Sequence, residues 1–265
     1  MFQYFTDEEY EEAFVHFEGV RHKIASHLGN RLSLEKGKIL DLLAGHGFLS
    51  VELTRMFPGC SIYGTGLSTD YDSFTALKAS NVFPNSVWNE IEYVQCDVTE
   101  LPFEDGYFNL VANFLGLEDV FMTRGESGLQ STIAEVARVT KDDGLIEITI
   151  VEYGLTPEER VAREVWEEIG LNAVFLDREY YISAFAEHGF ELEEKPLYTV
   201  RKKMTFNQAK EELEFACREA PKIYRDYDVS AISFEQLMTR FGKRIVKHGM
   251  AYYPNIRVLL FSKKP

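Results

Sequence analysis

Lys38-Ile39-Leu40-Asp41-Leu42-Leu43-Ala44-Gly45-His46-Gly47-Phe48-Leu49 is the stretch on which the fold turns. An apolar strand runs into an acid, then into a Gly-x-Gly turn, then into the apolar start of a helix. Glycine carries no Cβ and tolerates positive φ, so such a turn lets a ligand approach the backbone closely. The helix that follows points its unpaired N–H groups at the same crevice. Taken alone, the pattern also fits an ordinary tight βα turn. The segments downstream separate the two readings.

Residues 60–68 read as a second strand and its exit, and residues 91–98 as a third strand closing on Asp97. Then come Leu101-Pro102-Phe103-Glu104-Asp105-Gly106-Tyr107-Phe108-Asn109-Leu110-Val111 and a helical stripe of Ile133, Val136 and Ala137 running to Gly144. In this order the chain resembles the class I S-adenosylmethionine-dependent methyltransferases, in particular the small-molecule branch that includes the ubiquinone/menaquinone C-methyltransferases. The resemblance covers residues 36–152 well and the tail more loosely. Its most specific piece is the run Asp97-x-x-x-Leu101-Pro102-Phe103-x-Asp105-x-x-Phe108. It implies an α/β, Rossmann-like, seven-stranded and mostly parallel sheet with helices on both faces.

Strands are expected near 38–43, 60–65, 91–96, 107–114 and 144–151, alternating with helices as in a doubly wound sheet. Thr6-x-x-Glu9 has the form of a capping box opening an N-terminal helix that runs to about Leu28. Thr156-Pro157 starts another helix with Pro at its first position, and Asp177 to His188 is a further one closed by Gly189. Residues 190–200 and 256–262 read as the last two strands, which in the family pair antiparallel. Roughly fifty residues separate them, far more than a hairpin loop takes. That gap holds two helical patterns with their own start signals, Thr205-x-x-Gln208 and Ser233-x-x-Gln236. The expected division is therefore an N-terminal helical segment (1–35), a cofactor-binding core (36–203 with 254–265) and a helical cap inserted between the last two strands (204–253). A packing appendage or a dimer arm is the alternative for that insertion, and a homodimer stays open.

Composition sets outer bounds. The chain has 265 residues, 45% hydrophobic and 27% charged, ordinary for a globular protein with a full core. Met1 to Glu9 lacks a basic stretch followed by an apolar one, and no apolar run reaches membrane-spanning length, so a cytoplasmic protein without membrane contact is expected. Three cysteines, Cys60, Cys96 and Cys217, are too few and too scattered for a disulfide framework or a zinc site, so no metal is expected. The net charge of −15 repels phosphate backbones and argues against nucleic acid as a partner. One basic helical face, Arg240, Lys243, Arg244 and Lys247, stands apart. It reads either as a solvated face turned to Glu211, Glu212, Glu214 and Glu219 or as a dock for an anion.

The resemblance carries roles onto individual residues. Asp41 would orient the loop and the amino-acid end of S-adenosylmethionine, and Ala44, Gly45 and Gly47 would form the close-approach turn. Gly66 and Leu67 stand at the exit of strand two, beside the ribose. Asp97 would accept from the adenine amine while the Val98 N–H reaches a ring nitrogen. Asn113 and Phe114 would line the floor beneath the sulfonium. Two departures stand out. Leu43 replaces the first glycine of the usual Gly-x-Gly-x-Gly, at a position expected to pack inward. Gly66 stands where the family places a ribose-binding acid. Hydrogen bonds to a charged group are worth roughly 1.5–3 kcal/mol each, so its loss is worth about ten- to a hundredfold in affinity unless Ser68, Thr69 or Asp70 compensates.

Methyl transfer from an activated sulfonium depends mainly on holding the reacting atoms in line. A base is required only when the nucleophile must lose a proton, so no catalytic residue is named by the sequence. His46, Glu118, Tyr153, Tyr252 and Tyr253 are candidates near the mouth, although for each a structural role is the favoured reading. Asn113-Phe114-Leu115-Gly116 lacks the Asn-Pro-Pro-Tyr form associated with amino methylation of adenine or glutamine. The aromatic N-terminus (Phe2, Tyr4, Phe5, Tyr10, Phe14, Phe17) either packs on the sheet or closes over an apolar substrate. The leading expectation is an enzyme methylating a small organic acceptor. The alternative is a catalytically silent, methyltransferase-like subunit that binds a protein partner. A nicotinamide dehydrogenase fits less well, because Ser50 stands where its fingerprint needs a third glycine.

Overall fold

The computed structural model describes residues 7–80, 83–171, 174–200, 203–223, 227 and 229–263, with side chains from residue 19 onward except residue 223. The expected Thr6 cap and the N-terminal aromatic side chains lie outside what is described. The first half runs α1 (Asp7–Arg31), β1 (Lys38–Asp41), α2 (Phe48–Met56), β2 (Ser61–Gly66), α3 (Ser68–Ala79), α4 (Asn85–Trp88), β3 (Ile91–Gln95), β4 (Phe108–Asn113) and α5 (Leu117–Val139). It continues through β5 (Thr140–Glu152), α6 (Pro157–Ile169), α7 (Arg178–Glu187), β6 (Phe190–Glu194) and β7 (Leu197–Thr199). Then follow β8 (Lys203–Met204), α8 (Phe206–Arg218), α9 (Ala220–Ile223), α10 (Phe234–His248), β9 (Met250–Ala251) and β10 (Asn255–Lys263).

The main sheet runs in the order β3-β2-β1-β4-β5-β10-β6, with β7 extending the β6 edge along β10, while β8 and β9 pair antiparallel in a separate two-stranded sheet. The first five are parallel, and β10 lies antiparallel to β5, β6 and β7. This is the mostly parallel, Rossmann-like sheet that the motif order implies, with seven strand positions. The edge strand expected over 190–200 is split in two at Lys195-Pro196, with a register shift at Leu260/Phe261. Proline has no N–H for a ladder, and an edge strand is where a sheet tolerates that. The Pro196 carbonyl still accepts from the Val258 N–H at 3.0 Å.

Successive residues of β1 point to opposite faces, and both faces are covered. Ile39 joins Leu110, Val258 and Leu260 under Val20, Ile24 and Leu28 of α1. Leu40 joins Val111, Ile146 and Phe261 under the Leu129, Ile133 and Val136 stripe of α5 and under Phe185 of α7. Strands buried on both sides read as near-continuous apolar runs, which 38–43 and 144–151 are, interrupted by Asp41 in the first and by Glu147 and Thr149 in the second. A third apolar cluster lies off the sheet, where Val161, Val165 and Ile169 of α6 meet Leu213 of α8, Leu237, Phe241 and Ile245 of α10, and Met250 of β9.

Helix starts follow the sequence signals. Thr205 and Ser233 each accept from the N–H three residues on, and Gln208 and Gln236 reach back to the cap N–H groups. Thr156 caps α6 with Pro157 at its first position. The basic face of α10 finds partners other than the acids of α8: Arg240 pairs with Glu168, and Arg244 forks onto both oxygens of Glu164, both on α6. The shared apolar cluster brings α6, not α8's acidic face, alongside those arginines.

Gly47 is where local geometry is tightest. It caps α2 at φ 85°, and a Cβ built there would lie 2.8 Å from the Phe74 ring. Gly45 has φ 53° with nothing within 4 Å of its Cβ position. Gly47→Ala is expected to lose about 1–3 kcal/mol in urea denaturation, from strain plus overlap, and Gly45→Ala less, from strain alone. Equal losses at the two positions would show that Phe74 moves aside freely.

Candidate functional site

The carboxyl ends of β1, β2, β3 and β4 open onto one cavity of about 400 Å³, within the ordinary size of a small-molecule site. The loop after β1 is fastened on three sides. The Ala44 N–H donates to the Thr65 carbonyl at 2.7 Å, the Leu43 N–H donates to Thr65 Oγ1 at 3.3 Å, and the Gly47 N–H donates to the Ala44 carbonyl at 2.8 Å. Leu43 does pack against the apolar side of α5, yet it also borders the cavity in a left-handed conformation, φ 58°. Leu115 and Tyr253, on the same cavity, have φ of 62° and 42°. Side chains other than glycine rarely hold such angles, and they persist where surrounding structure over-determines them.

Asp41 is buried, and its Oδ2 accepts from Ser50 Oγ at 2.5 Å. Burial pushes its carboxyl up to about 7, against the lowering effect of the Ser50 hydrogen bonds and the Arg21 charge. Arg21, also buried, lays its guanidinium 4.4 Å from the Phe114 ring and 5.3 Å from that of Phe48. His46 faces the cavity as a neutral imidazole, because burial and then Arg21 lower its pKa to about 3.

Asp97 is more committed than its expected role implies. Its Oδ1 accepts from the Thr99 N–H (3.0 Å) and Thr99 Oγ1 (2.8 Å), and its Oδ2 accepts from Arg124 Nε (3.2 Å) and Nη2 (2.6 Å). Burial works to raise its pKa, but these hydrogen bonds outweigh it and hold the carboxyl below the usual range. Arg124 in turn stacks over the Tyr227 ring at 4.3 Å.

Of the residues singled out in the sequence, Asp41, Ala44, Gly45, Gly66, Leu67, Asp97, Val98 and Phe114 come together on this cavity, with His46, Tyr252 and Tyr253. Gly47 and Asn113 do not border it. Gly47 serves the packing against Phe74 described above. Asn113 is a buried bracket: its Nδ2 donates to the carbonyls of Leu42 (2.8 Å) and Leu115 (2.6 Å), and its N–H donates to Glu147 Oε2 at 3.2 Å. Glu118 and Tyr153 also stand outside the lining. Arg21, Asp119, Arg124 and Tyr227 border the cavity without having been singled out, and Glu212, read only as an acid facing the basic helix, borders it too. Asp119 is solvent-exposed where it borders the cavity; the protein packed around it, then Glu118 and Asp70, raise its carboxyl above the usual carboxylate range. Among the described residues no group of His, Cys, Asp and Glu is placed to hold a metal ion, and no helix is long and apolar enough to cross a membrane.

The hollow suits an adenosyl group. Gly45 leaves open the space a side chain would fill, and the buried Tyr93 hydroxyl beneath Gly66 has no hydrogen-bond partner among the described residues. Residues 40–148 match the family model described as a methyltransferase domain. A ubiquinone/menaquinone biosynthesis C-methyltransferase from Shewanella pealeana is 25% identical over 133 residues, 49% of this chain and 47% of that protein. The chain thus spans about half the length of the curated relatives it matches. Among solved structures, one from Galdieria sulphuraria, described as a candidate sarcosine dimethylglycine methyltransferase, superposes with a TM-score of 0.59 at 18% identity, covering 93% of this chain and 85% of that one. A Haemonchus contortus phosphoethanolamine N-methyltransferase, solved with phosphomonomethylethanolamine and S-adenosylhomocysteine, superposes with a TM-score of 0.51 at 16% identity over 88% of this chain and 50% of that one. The fold is a Rossmann-like α/β sheet with a cavity of small-molecule size at its strand ends. The comparisons thus support a chain similar to the class I S-adenosylmethionine-dependent methyltransferases, with a methyltransferase domain over residues 40–148 and S-adenosylmethionine as the cofactor that likeness implies.

The buried carboxyl at the loop predicts a pH signature. Native Asp41 holds its proton up to about pH 7, whereas unfolded Asp41 releases it near 3.8, so the folded state binds more protons between those values and stability falls as pH rises through the window. About three units at 1.36 kcal/mol each amount to roughly 4 kcal/mol. Asp41→Asn is expected to flatten the stability–pH curve between pH 4 and 7 and to gain on the wild type above pH 7. Parallel curves from calorimetric melting would refute it.

Proposed function

We propose that this chain transfers the methyl group of S-adenosylmethionine to a small organic acceptor held in the cavity described above. Bound there, the cofactor supplies a methyl group already activated on a sulfonium. Asp41 and the 43–47 loop fix its amino-acid end, Asp97 and Val98 its adenine, and Phe114 the floor. Asn113 and Gly47 act one layer back, by holding the strand end and the helix start. The cavity carries this reading, because a partly open hollow of small-molecule size joins the loop after β1 to Glu212, Tyr227, Tyr252 and Tyr253. Those four lie within 204–253, which supports reading that segment as a cap that excludes water, on a core of 36–203 with 254–265 preceded by the helical segment 1–35. An acceptor of macromolecular size would call for an open trough. A cytoplasmic setting belongs to the same proposal. Calorimetric titration with S-adenosylmethionine is the direct test, and no binding at millimolar concentration would sink it.

The chain's own residues also suggest where a proton goes. His46 is too weak a base, and burial raises the Tyr252 hydroxyl well above its ordinary value. Asp119 borders the cavity, open to solvent, with its carboxyl raised from the ordinary carboxylate range toward neutrality, where a general base works best at physiological pH. We assign it to accept the proton from an acceptor that must lose one. In a screen of small acceptors followed by release of S-adenosylhomocysteine, activity is expected to rise with pH through about 7 as Asp119 ionises. Asp119→Asn should lower kcat by about 10²–10⁴-fold and erase that rise while leaving the melting temperature nearly unchanged. An unaltered profile in the variant would remove Asp119 from the chemistry.

A further inference from the structure

At the exit of β2 the backbone of Gly66 borders the cavity with no side chain of its own to offer. A Cβ built there would lie 2.3 Å from the Tyr93 hydroxyl oxygen, 2.9 Å from Asp70 Oδ2 and 3.0 Å from Asp70 Cβ. No side chain fits, because two others already fill its space. Tyr93 is wedged in from β3 between rings, with Phe74 at 4.7 Å and Tyr71 at 5.6 Å. Asp70 arrives from the first turn of α3, where its Oδ2 accepts from the Leu67 N–H at 2.9 Å. That bond fixes the side chain and uses one acceptor position of the carboxylate. A carboxylate has about four such positions, and no other hydrogen bond to Asp70 is found among the described residues.

We propose that Asp70 is the ribose-binding acid of this protein, its carboxylate standing at the Gly66 end of β2 and accepting the two vicinal hydroxyls of the adenosyl group. The assignment rests on the cofactor reading above and settles which of Ser68, Thr69 and Asp70 compensates for the glycine. Ser68 does not border the cavity. Thr69 does, but brings one hydroxyl where a cis-diol presents two donors, which a carboxylate's paired oxygens match. Tyr93 is the wedge that makes glycine obligatory at 66 and so moves the acid four residues along, from the strand end to the helix.

The test uses calorimetric titration of the full chain with S-adenosylhomocysteine and with its 2′-deoxyribose analogue. Wild-type protein is expected to bind the parent at least tenfold more tightly than the analogue, as a charge-assisted hydrogen bond demands. Asp70→Asn should weaken the parent by about ten- to a hundredfold and shrink the ratio between the two ligands below threefold. Asparagine keeps an oxygen for the Leu67 N–H, and melting of the unliganded variant verifies its fold. An Asp70→Asn variant that binds the parent within threefold of wild type, or that keeps the wild-type ratio, overturns the assignment. So does a wild-type protein that binds both ligands alike, whatever the variant does. Wild type that fails to bind S-adenosylhomocysteine at all fails the cofactor reading itself, a result distinct from the others.

Discussion

Much of the molecule's function hangs on the hydrogen bond from Ser50 to Asp41. It joins the last residue of β1 to the first turn of α2 across the loop that shapes the cavity. With that bond and the Ala44–Thr65 contact in place, residues 43–47 have no freedom to relax, and Leu43 is held at a φ that would otherwise revert. The same bond explains why position 50 is a buried serine where a dinucleotide fingerprint would have glycine. A glycine there would bring a helix close to a pyrophosphate. A serine instead anchors an acid. The cost is a carboxyl deep in the protein whose burial outweighs its stabilising partners, so Asp41 is kept for the position of the loop and not for stability.

The sheet makes room for this arrangement in one transverse row. Tyr93, Gly64, Asp41, Ala112, Glu147 and Leu260 are successive register partners, so their side chains share a face. Asp41 is flanked by the two smallest members, Gly64 and Ala112, and a Cβ on Gly64 would come within 3.1 Å of the Ala44 Cβ. The glycine therefore lets the loop fold back over the sheet. Glu147, two strands from Asp41, is buried, and burial pushes it well above its ordinary pKa against the lowering effect of the Asn113 hydrogen bond, with a further push from the Asp41 charge. A protonated Glu147 carries a hydrogen on its otherwise unpartnered Oε1, which turns an orphaned acceptor into a donor.

What was legible in the sequence was what local chemistry dictates. Apolar runs ending in glycine turns gave β1 through β5, and Thr/Ser-x-x-Gln gave the starts of α8 and α10, because an N-cap is satisfied within four residues. The strand-end residues 41, 44, 45, 66, 67, 97 and 98 meet because strand ends in a parallel sheet must. What escaped was set by contacts distant in the chain. Asn113 looks like a lining residue until its amide is seen to bridge Leu42 and Leu115. Gly47 looks like a ligand contact until Phe74, from α3, is found over it. Arg21 and Asp119 carry no motif, and nothing local announces that α1 and the start of α5 converge on one cavity. Gly66 was readable as a departure, but its cause, Tyr93 one strand over, was visible only in register.

Arg124 shows how such a contact is built and what it does. Helix α5 breaks at Gly125, with φ 67° and ψ −169°, and a Cβ on Gly128 would lie 2.0 Å from the Arg124 Cβ. The two glycines bend the helix and clear the space through which Arg124 turns toward Asp97. The resulting fork, with Thr99 on the other oxygen, fills all four acceptor positions of that carboxylate. An adenine amine meeting Asp97 must therefore displace one of them. Arg124 is the cheaper to move, since both partners are partly exposed, side-chain exposures being 30% and 40%, and such pairs contribute little net stability. Because Arg124 also stacks on Tyr227, its movement would be felt in the segment between β7 and β10. If Asp97 holds adenine as proposed, that contact and the position of Tyr227 are mechanically joined through one guanidinium, and a ligand that displaces Arg124 from Asp97 also disturbs its stacking on Tyr227.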